Sequence, residues 1–277
     1  MRKGIAHYHL GQDEAAQTAL DALVKSDVPA TIRAEGLYYL GKLHADAGRA
    51  AQAIGSYKTL IEVAPEHALT PFARYQLAHV YTQASDYENA GIAFSEVAGD
   101  ANAPEELRME SRFRAAEIYD KLGWFDAAVQ AYERLEQEFP NTDYARRAAY
   151  GHAWALYHAG QYDAALAAAE TFLKTESDAQ RAAGVFYLRG NSFQQQKKYA
   201  EAAAAFQTIR EKFPESPFAA RALYKAAWVH HLGGDNASAR QSADQYLTAA
   251  PDGEYAGDAL FLLATLEAAA GEHEAAL

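Results

Sequence analysis

Apolar residues along this chain return at intervals of three and four, the spacing of one face of an α-helix, and the apolar stretches come in pairs joined by a short turn. One pair reads Leu40, Leu43 and His44 on its first arm and Ile54, Tyr57, Leu60 and Ile61 on its second. A turn residue separates the arms. An aromatic residue follows two places on, an alanine three after that, and an aromatic residue or leucine four further, as in Gly123, Phe125, Ala128, Tyr132 and in Lys197, Tyr199, Ala202, Phe206. The turn residues are Gly11, Gly48, Ser85, Gly123, Gly160, Lys197, Gly234 and Gly271, at spacings of 37, 37, 38, 37, 37, 37 and 37 residues.

The alanine holds in every copy: Ala16, Ala53, Ala90, Ala128, Ala165, Ala202, Ala239 and Ala276. Seven residues before each turn, from the second copy on, stands another small residue: Gly41, Ala78, Ala116, Ala153, Gly190, Ala227 and Ala264. Small positions on both sides of a turn let two antiparallel helices approach closely. Glycine at the turn supplies the left-handed backbone that ends the first helix, so Ser85 and Lys197 predict a modest strain there and the same fold. Pro65, Pro140, Pro214 and Pro251 stop second helices. Thr142-Asp143, Ser216-Pro217 (a cap, then Pro at the first helical position) and Pro104-Glu105-Glu106 signal helix starts. The chain therefore reads as helix, turn, helix and Pro-containing loop, about 7.5 times over.

Composition narrows the chemistry. The 277 residues are half apolar and carry 37 acidic against 25 basic side chains, a net charge of −12. That balance argues against nucleic acid or an anionic bilayer as the main partner, since both demand clustered Lys and Arg. The absence of cysteine excludes disulfides, thiolate metal sites and cysteine nucleophiles. The richest apolar run, Ala259 to Leu263, is far short of the about 20 residues that cross a bilayer. Met1-Arg2-Lys3-Gly4 leads into His and Tyr instead of an apolar signal-peptide core. Met1 falls within the first helix of the first unit and Leu277 one turn into the second helix of the eighth. The expectation is a single solenoid over 1–277, cut inside a repeat at both ends as in a fragment of a longer protein.

Leu40-Gly41, Gly48, Ala53, Tyr57, Leu60 and Pro65 resemble the tetratricopeptide repeat, and the match runs along essentially the whole chain. The family's usual unit is about 34 residues; here three more follow the proline. The loops Phe139-Pro140-Asn141-Thr142-Asp143-Tyr144-Ala145 and Phe213-Pro214-Glu215-Ser216-Pro217-Phe218-Ala219 are similar to a variant common in bacterial envelope proteins of the outer-membrane assembly lipoprotein and Tol-coordinator types. The resemblance implies an all-α, right-handed solenoid of helical hairpins that presents a curved surface to a protein or peptide, with a lean towards the periplasm or cell envelope and the cytoplasm as the alternative.

In such a stack the first helices line the concave wall. The fifth position of each unit, ten residues before its turn, carries Tyr38, Tyr75, Phe113, Tyr150, Tyr187, Tyr224 and Phe261 in register. This stripe reads either as packing between neighbours or as a groove floor of rigid amphipathic rings. Neighbouring positions vary more: Glu110, Glu117 and Asp120 in the fourth unit; Arg147, Trp154, Tyr157 and His158 in the fifth; Asn191, Gln194 and Gln195 in the sixth; Arg221, Trp228 and His231 in the seventh. Trp, Tyr and Arg most often carry interface energy, so the candidate partner-binding set is Arg147, Tyr150, Trp154, Tyr157, His158, Tyr187, Asn191, Gln194, Arg221, Tyr224, Trp228 and His231. The competing reading has these aromatics filling gaps between helices. The acidic fourth unit would favour one orientation of a bound peptide, and Trp124, beside a turn, reads as a surface residue. The lysine-and-asparagine carboxylate clamp of chaperone-binding relatives is not reproduced, because the ninth positions read Lys42, His79, Glu117, Trp154, Asn191, Trp228 and Thr265.

No catalytic or metal-binding pattern accompanies this. His7 and His9 diverge by about 200° on a helix, and His152 and His158 lie on different faces. His230 and His231 point to different sides, and neither a His-Glu-x-x-His, a Gly-x-Ser-x-Gly nor a phosphate-cradling Gly-rich loop is present. The expectation is a non-enzymatic interaction scaffold without cofactors. The alternatives are a glycan- or peptidoglycan-binding module, since rings flanked by amides also suit sugar chains, and a spacer for flanking domains.

Overall fold

A computed structural model of the chain describes residues 1–174 and 176–271. The described residues form fifteen α-helices and no strand. The chain divides into two compact units, Met1–Ala148 and Ala149–Leu277. The first holds α1 (Arg2–His9), α2 (Asp13–Lys25), α3 (Ala30–Asp46), α4 (Ala50–Val63), α5 (Thr70–Gln83), α6 (Tyr87–Gly99), α7 (Glu105–Lys121) and α8 (Phe125–Glu138). Helix α9 (Asp143–His158) carries the chain from the first unit into the second. The second unit continues with α10 (Tyr162–Leu173), α11 (Ala179–Gln195), α12 (Tyr199–Lys212), α13 (Ala219–Leu232), α14 (Asn236–Ala249) and α15 (Ala256–Ala270). Odd-numbered helices are the first arms of hairpins and even-numbered ones the second: an all-α repeat solenoid, as the 37-residue step implies.

All eight turn residues adopt positive φ. Six are glycine, from +66° at Gly11 to +83° at Gly234, and Ser85 and Lys197 sit at +60°. The hydrogen bonds show why a side chain does not change the geometry. In the glycine copy Gly48 N–H donates to Ala45 C=O (2.9 Å) and Arg49 N–H to His44 C=O (2.8 Å); in the lysine copy Lys197 donates to Gln194 (3.0 Å) and Lys198 to Phe193 (2.9 Å). The same closure satisfies the last carbonyls of the first arm in both, which outweighs the steric penalty on Cβ. Asn141 is a further left-handed residue, at +66°, just after Pro140.

The small residue seven before the turn packs under the side chain nine after it. A Cβ on Gly41 would lie 2.5 Å from Tyr57 Cε1, and one on Gly190 2.5 Å from Phe206 Cε1. Tyr57 and Phe206 are essentially inaccessible, so glycine here is a shape requirement of the helix pair. In the fifth and seventh copies the facing residue is Ala169 or Ala243, and the buried aromatic moves one helical turn on, to Phe172 and Tyr246.

Pro65, Pro140, Pro214 and Pro251 each directly follow a helix C-cap residue, namely Ala64, Phe139, Phe213 and Ala250. Thr142 caps α9, its Oγ1 accepting from Ala145 N–H at 3.1 Å, and α7 begins at Glu105 after Pro104. The Ser216-Pro217 signal is corrected: α13 starts at Ala219 with Phe218 as its N-cap. Ser216 donates to Phe213 C=O and its own carbonyl accepts from Ala219, so a turn consumes these residues and the helical ladder opens with Ala222 N–H to Phe218 C=O.

Candidate functional site

Tyr150, Trp154, Tyr157 and His158 fall at i, i+4, i+7 and i+8 on α9 and therefore share one face. Their rings touch in series. Tyr150 and Trp154 are 6.5 Å apart between centroids, Trp154 and Tyr157 5.9 Å edge to face, and Trp154 and His158 5.8 Å. Helix α11 lies against this face: a Cβ at Gly184 would meet the Tyr150 hydroxyl at 2.5 Å, so the glycine admits that ring. On α13 the set is Arg221, Tyr224, Trp228 and His231. Trp228 meets His231 edge to face at 6.1 Å, and His231 Nδ1 lies 3.2 Å from Asn236 Oδ1. Arg221 is exposed and pairs with Glu254 at 3.6 Å.

Both tryptophans have a packing role. Trp154 rests on the cluster around Ala183, Tyr187 and Phe206, and Trp228 on the one around Ala227, Leu262 and Leu266. Their indole Nε1 atoms are shut off from solvent without a hydrogen-bond partner. Burial raises the pKa of the Tyr150 and Tyr224 phenols, and the neighbouring indole pulls each the other way. The indoles thus offer ring surface and no reachable donor. Both indoles occur where the residue nine after the turn is alanine, so volume lost on one arm is partly restored on the other.

Two of the twelve candidate residues are interior. Tyr187 is 8% exposed and Asn191 6% exposed. Burial pushes the Tyr187 phenol up to about 12, with Arg221 and Asn191 pulling the other way. Gln194 is half-buried and Gln195 exposed, the latter near the Tyr157 hydroxyl, so the amides of α11 edge the α9 ring cluster. Arg147 belongs to the first unit, where its guanidinium lies 4.3 Å over Phe113 and 5.5 Å from Tyr144.

The stripe of fifth positions is uneven. Phe113 and Tyr187 are buried, Tyr38, Tyr75, Tyr150 and Tyr224 are half-buried, and Phe261 is 66% exposed. Three of these rings meet a second ring, 21 residues after the turn. Tyr144 covers Phe113 at 6.0 Å, Phe218 covers Tyr187 at 5.4 Å, and Tyr255 stacks on Tyr224 at 4.3 Å with planes 11° apart. The signal stood in the sequence, since Tyr144 and Phe218 belong to the Pro loops, but the loops read as a subfamily cue and not as ring partners. In the fifth copy that position is Arg181, and Tyr150 keeps more of its edge. Lys225 is half-buried on α13, where burial and Arg221 push its ammonium pKa down.

The acidic fourth unit is less bare than its sequence suggests. Arg114 bridges Glu110 at 3.7 Å and Glu117 at 3.2 Å, and Glu110 faces the Tyr75 hydroxyl, whose pKa rises through burial first and then this contact. Trp124 is 42% exposed, as a surface residue should be. Among the described residues no group of three or more His, Asp or Glu could hold a metal ion, and no helix is long and apolar enough to cross a membrane.

Known proteins agree with the repeat fold. A tetratricopeptide repeat profile matches residues 1–68, 38–106 and 187–254, and an outer membrane lipoprotein profile matches 106–198. The chain is 31% identical over 160 residues to the outer membrane protein assembly factor BamD of Neisseria meningitidis serogroup A, covering 50% of this chain and 59% of that protein. It is 29% identical over 173 residues to BamD of Neisseria gonorrhoeae, covering 53% and 65%. The chain thus spans about three fifths of the length of these relatives. The C-terminal part of a repeat-containing protein from Cytophaga hutchinsonii shares the fold with a TM-score of 0.63 at 14% identity, over 94% of this chain and 98% of that one. The repeat profile, the eight left-handed turns and the paired helices lead to one conclusion: the chain belongs to the tetratricopeptide repeat family.

Proposed function

We propose that this protein is a non-enzymatic interaction scaffold of a bacterial envelope assembly, of the outer-membrane assembly type, and that the second unit presents a ring-lined surface to a peptide segment of a protein partner. The surface comprises Tyr150, Trp154, Tyr157 and His158 on α9, Gln194 on α11, and Arg221, Tyr224, Trp228 and His231 on α13. Tyr187 and Asn191 support it from below. Arg147 stays with the first unit. The observation that carries the reading is the continuous ring contact from Tyr150 through Trp154 to Tyr157 and His158 on one helix face. Similarity to BamD supports the envelope setting.

The mechanism is preorganisation. Rings already held by packing lose little freedom on binding, so contact area converts into affinity with a small ordering cost. Titration of the chain with a library of extended peptides, and separately with soluble peptidoglycan fragments, tests it through tryptophan fluorescence. A saturable response to peptides that falls at least tenfold in affinity in Trp154→Ala or Trp228→Ala is expected, as for central aromatic anchors. An unchanged response in the double variant refutes the surface. A response to wall fragments alone makes the ligand a glycan, and no response to either leaves the chain a spacer.

A further inference from the structure

A cavity of about 370 Å³ opens in the first unit on the side of the second helices. Helices α6 and α8 form its walls and α7 its floor, through residues from Ser95 to Arg134. The repeat explains why it is there. Three positions face this space: eight before the turn, four after it and eight after it. In the fourth copy all three are alanine (Ala115, Ala127, Ala131), whereas other copies put Leu40, Leu77, His152 or Arg189 at the first of them. The seventh copy has Ala226, Ser238 and Ser242 there, and a second cavity of about 150 Å³ lies at that register in the second unit. Missing side-chain volume, repeated at fixed register, leaves the space.

Three features make the fourth-copy cavity more than a packing gap. Its rim carries Trp124, 42% exposed and stacked on Tyr119 with centroids 5.8 Å apart and planes 25° apart. The residue after the turn is polar in every other described copy from Gln12 to Asp235, so an exposed tryptophan here departs from the repeat. Tyr119 is locked beneath it, donating to Gly91 C=O at 3.2 Å and hydrogen-bonded to Ser95 Oγ at 2.7 Å. The lining contains Arg112 and Arg134 and no carboxylate, in a chain with a net charge of −12. Arg112 is 8% exposed and already engaged, with Ala98 C=O at 2.9 Å and Glu138 at 2.5 Å. Arg134 is exposed and makes no ion pair with the described residues.

We propose that this cavity is a second docking site, which takes an acidic peptide segment of a partner protein. An apolar or aromatic side chain lies against Trp124 in the space left by Ala115, Ala127 and Ala131. A neighbouring carboxylate pairs with the Arg134 guanidinium, and Gln130 and Ser95 meet the peptide backbone. The volume suits one or two side chains, and a charge-assisted guanidinium–carboxylate pair at a half-enclosed rim adds orientation to the ring contact.

The test uses the full chain labelled with 5-fluorotryptophan, so that Trp124, Trp154 and Trp228 each give a fluorine resonance, assigned with Trp124→Phe. The probe is the acetylated, amidated pentapeptide Glu-Phe-Glu-Phe-Glu, against its Gln-Phe-Gln-Phe-Gln counterpart. The expected result is a saturable shift of the Trp124 resonance with the acidic peptide and about two- to fivefold weaker binding in Arg134→Gln. Binding should also weaken with added salt and be lost in Ala115→Leu, which restores the leucine of the second and third copies. Circular dichroism shows whether that last variant folds; Arg134→Gln, on the surface, serves whether or not it does. An unmoved Trp124 resonance at millimolar peptide, equal affinity for the glutamine peptide, or unchanged affinity in Arg134→Gln overturns the proposal. Shifts confined to Trp154 and Trp228 overturn it too, while leaving the second-unit surface standing.

Discussion

Gly190→Ala adds one methyl group where α11 meets α12, and the structure allows its effect to be worked through. The new Cβ would stand 2.5, 2.6 and 2.8 Å from three ring carbons of Phe206. Carbon atoms in contact prefer about 3.5–4.0 Å, so ring and helix must part by about 1 Å. Phe206 is 1% exposed and enclosed by Ala202, Ala203, Ile209 and Val229, which leaves the ring nowhere to turn. Overpacking of this kind costs about 1–3 kcal/mol, and replacing glycine by alanine inside a helix returns about 1 kcal/mol. The single variant should lose about 1 kcal/mol net. In a Phe206→Ala background, itself about 3–5 kcal/mol less stable, the clash is gone and the same substitution should stabilise by about 1 kcal/mol. The coupling between the two sites is then about 1–3 kcal/mol. Urea unfolding of the four proteins by circular dichroism measures the cycle. Hydrogen exchange in α11 and α12 provides a local readout, because repeat arrays need not unfold in one step. Gly190→Ala that stabilises equally in both backgrounds, additive within about 0.5 kcal/mol, would refute the claim that glycine sets the helix spacing.

Two further outcomes follow from backbone and burial. Lys197→Gly should raise stability by about 0.5–1 kcal/mol, since the left-handed conformation at +60° costs a side chain about 1–2 kcal/mol and glycine's extra unfolded freedom offsets part of that gain; Gly160→Ala, at +75°, should lose about 1 kcal/mol in the same melts, and a neutral or destabilising Lys197→Gly would count against the strain. His44 is buried with Nδ1 unpartnered, and burial, then Arg49, push its pKa below 6.5. The unfolded chain therefore binds the proton first: its contribution to stability is complete above about pH 6.5 and is lost as pH falls through that value towards the folded pKa. His79 acts in the same direction, through burial. The urea midpoint should drop between pH 7.5 and 5.5 by more in the parent than in His44→Leu, and equal drops would exclude His44 as a source.

Two kinds of information meet in these residues. The fold was legible because its determinants are local and repeated. A turn residue at +60° to +83°, a small residue seven before it and a proline closing several units act within one hairpin, and eight copies at a 37-residue step rule out coincidence. Lys197 and Ser85 show how strong that is, since each adopts the left-handed turn that its own preference resists. Helix starts depend on what the neighbours bond: Thr142 caps as its type suggests, but Ser216 is drawn into a turn by Phe213 and Ala219.

Exposure was decided only by tertiary structure. The stripe from Tyr38 to Phe261 is uniform in sequence, yet Tyr187 lies buried under Phe218 while Tyr150, with Arg181 at the matching place, stays half-buried. Periodicity tells which way a side chain leaves its own helix. What covers it comes from another helix or loop, 31 residues away for Tyr187 and Phe218. The cavity beside Trp124 arises the same way, from three alanines on two helices whose joint deficit no single helix records. Spacing along the chain settles direction, and packing between chain segments settles access.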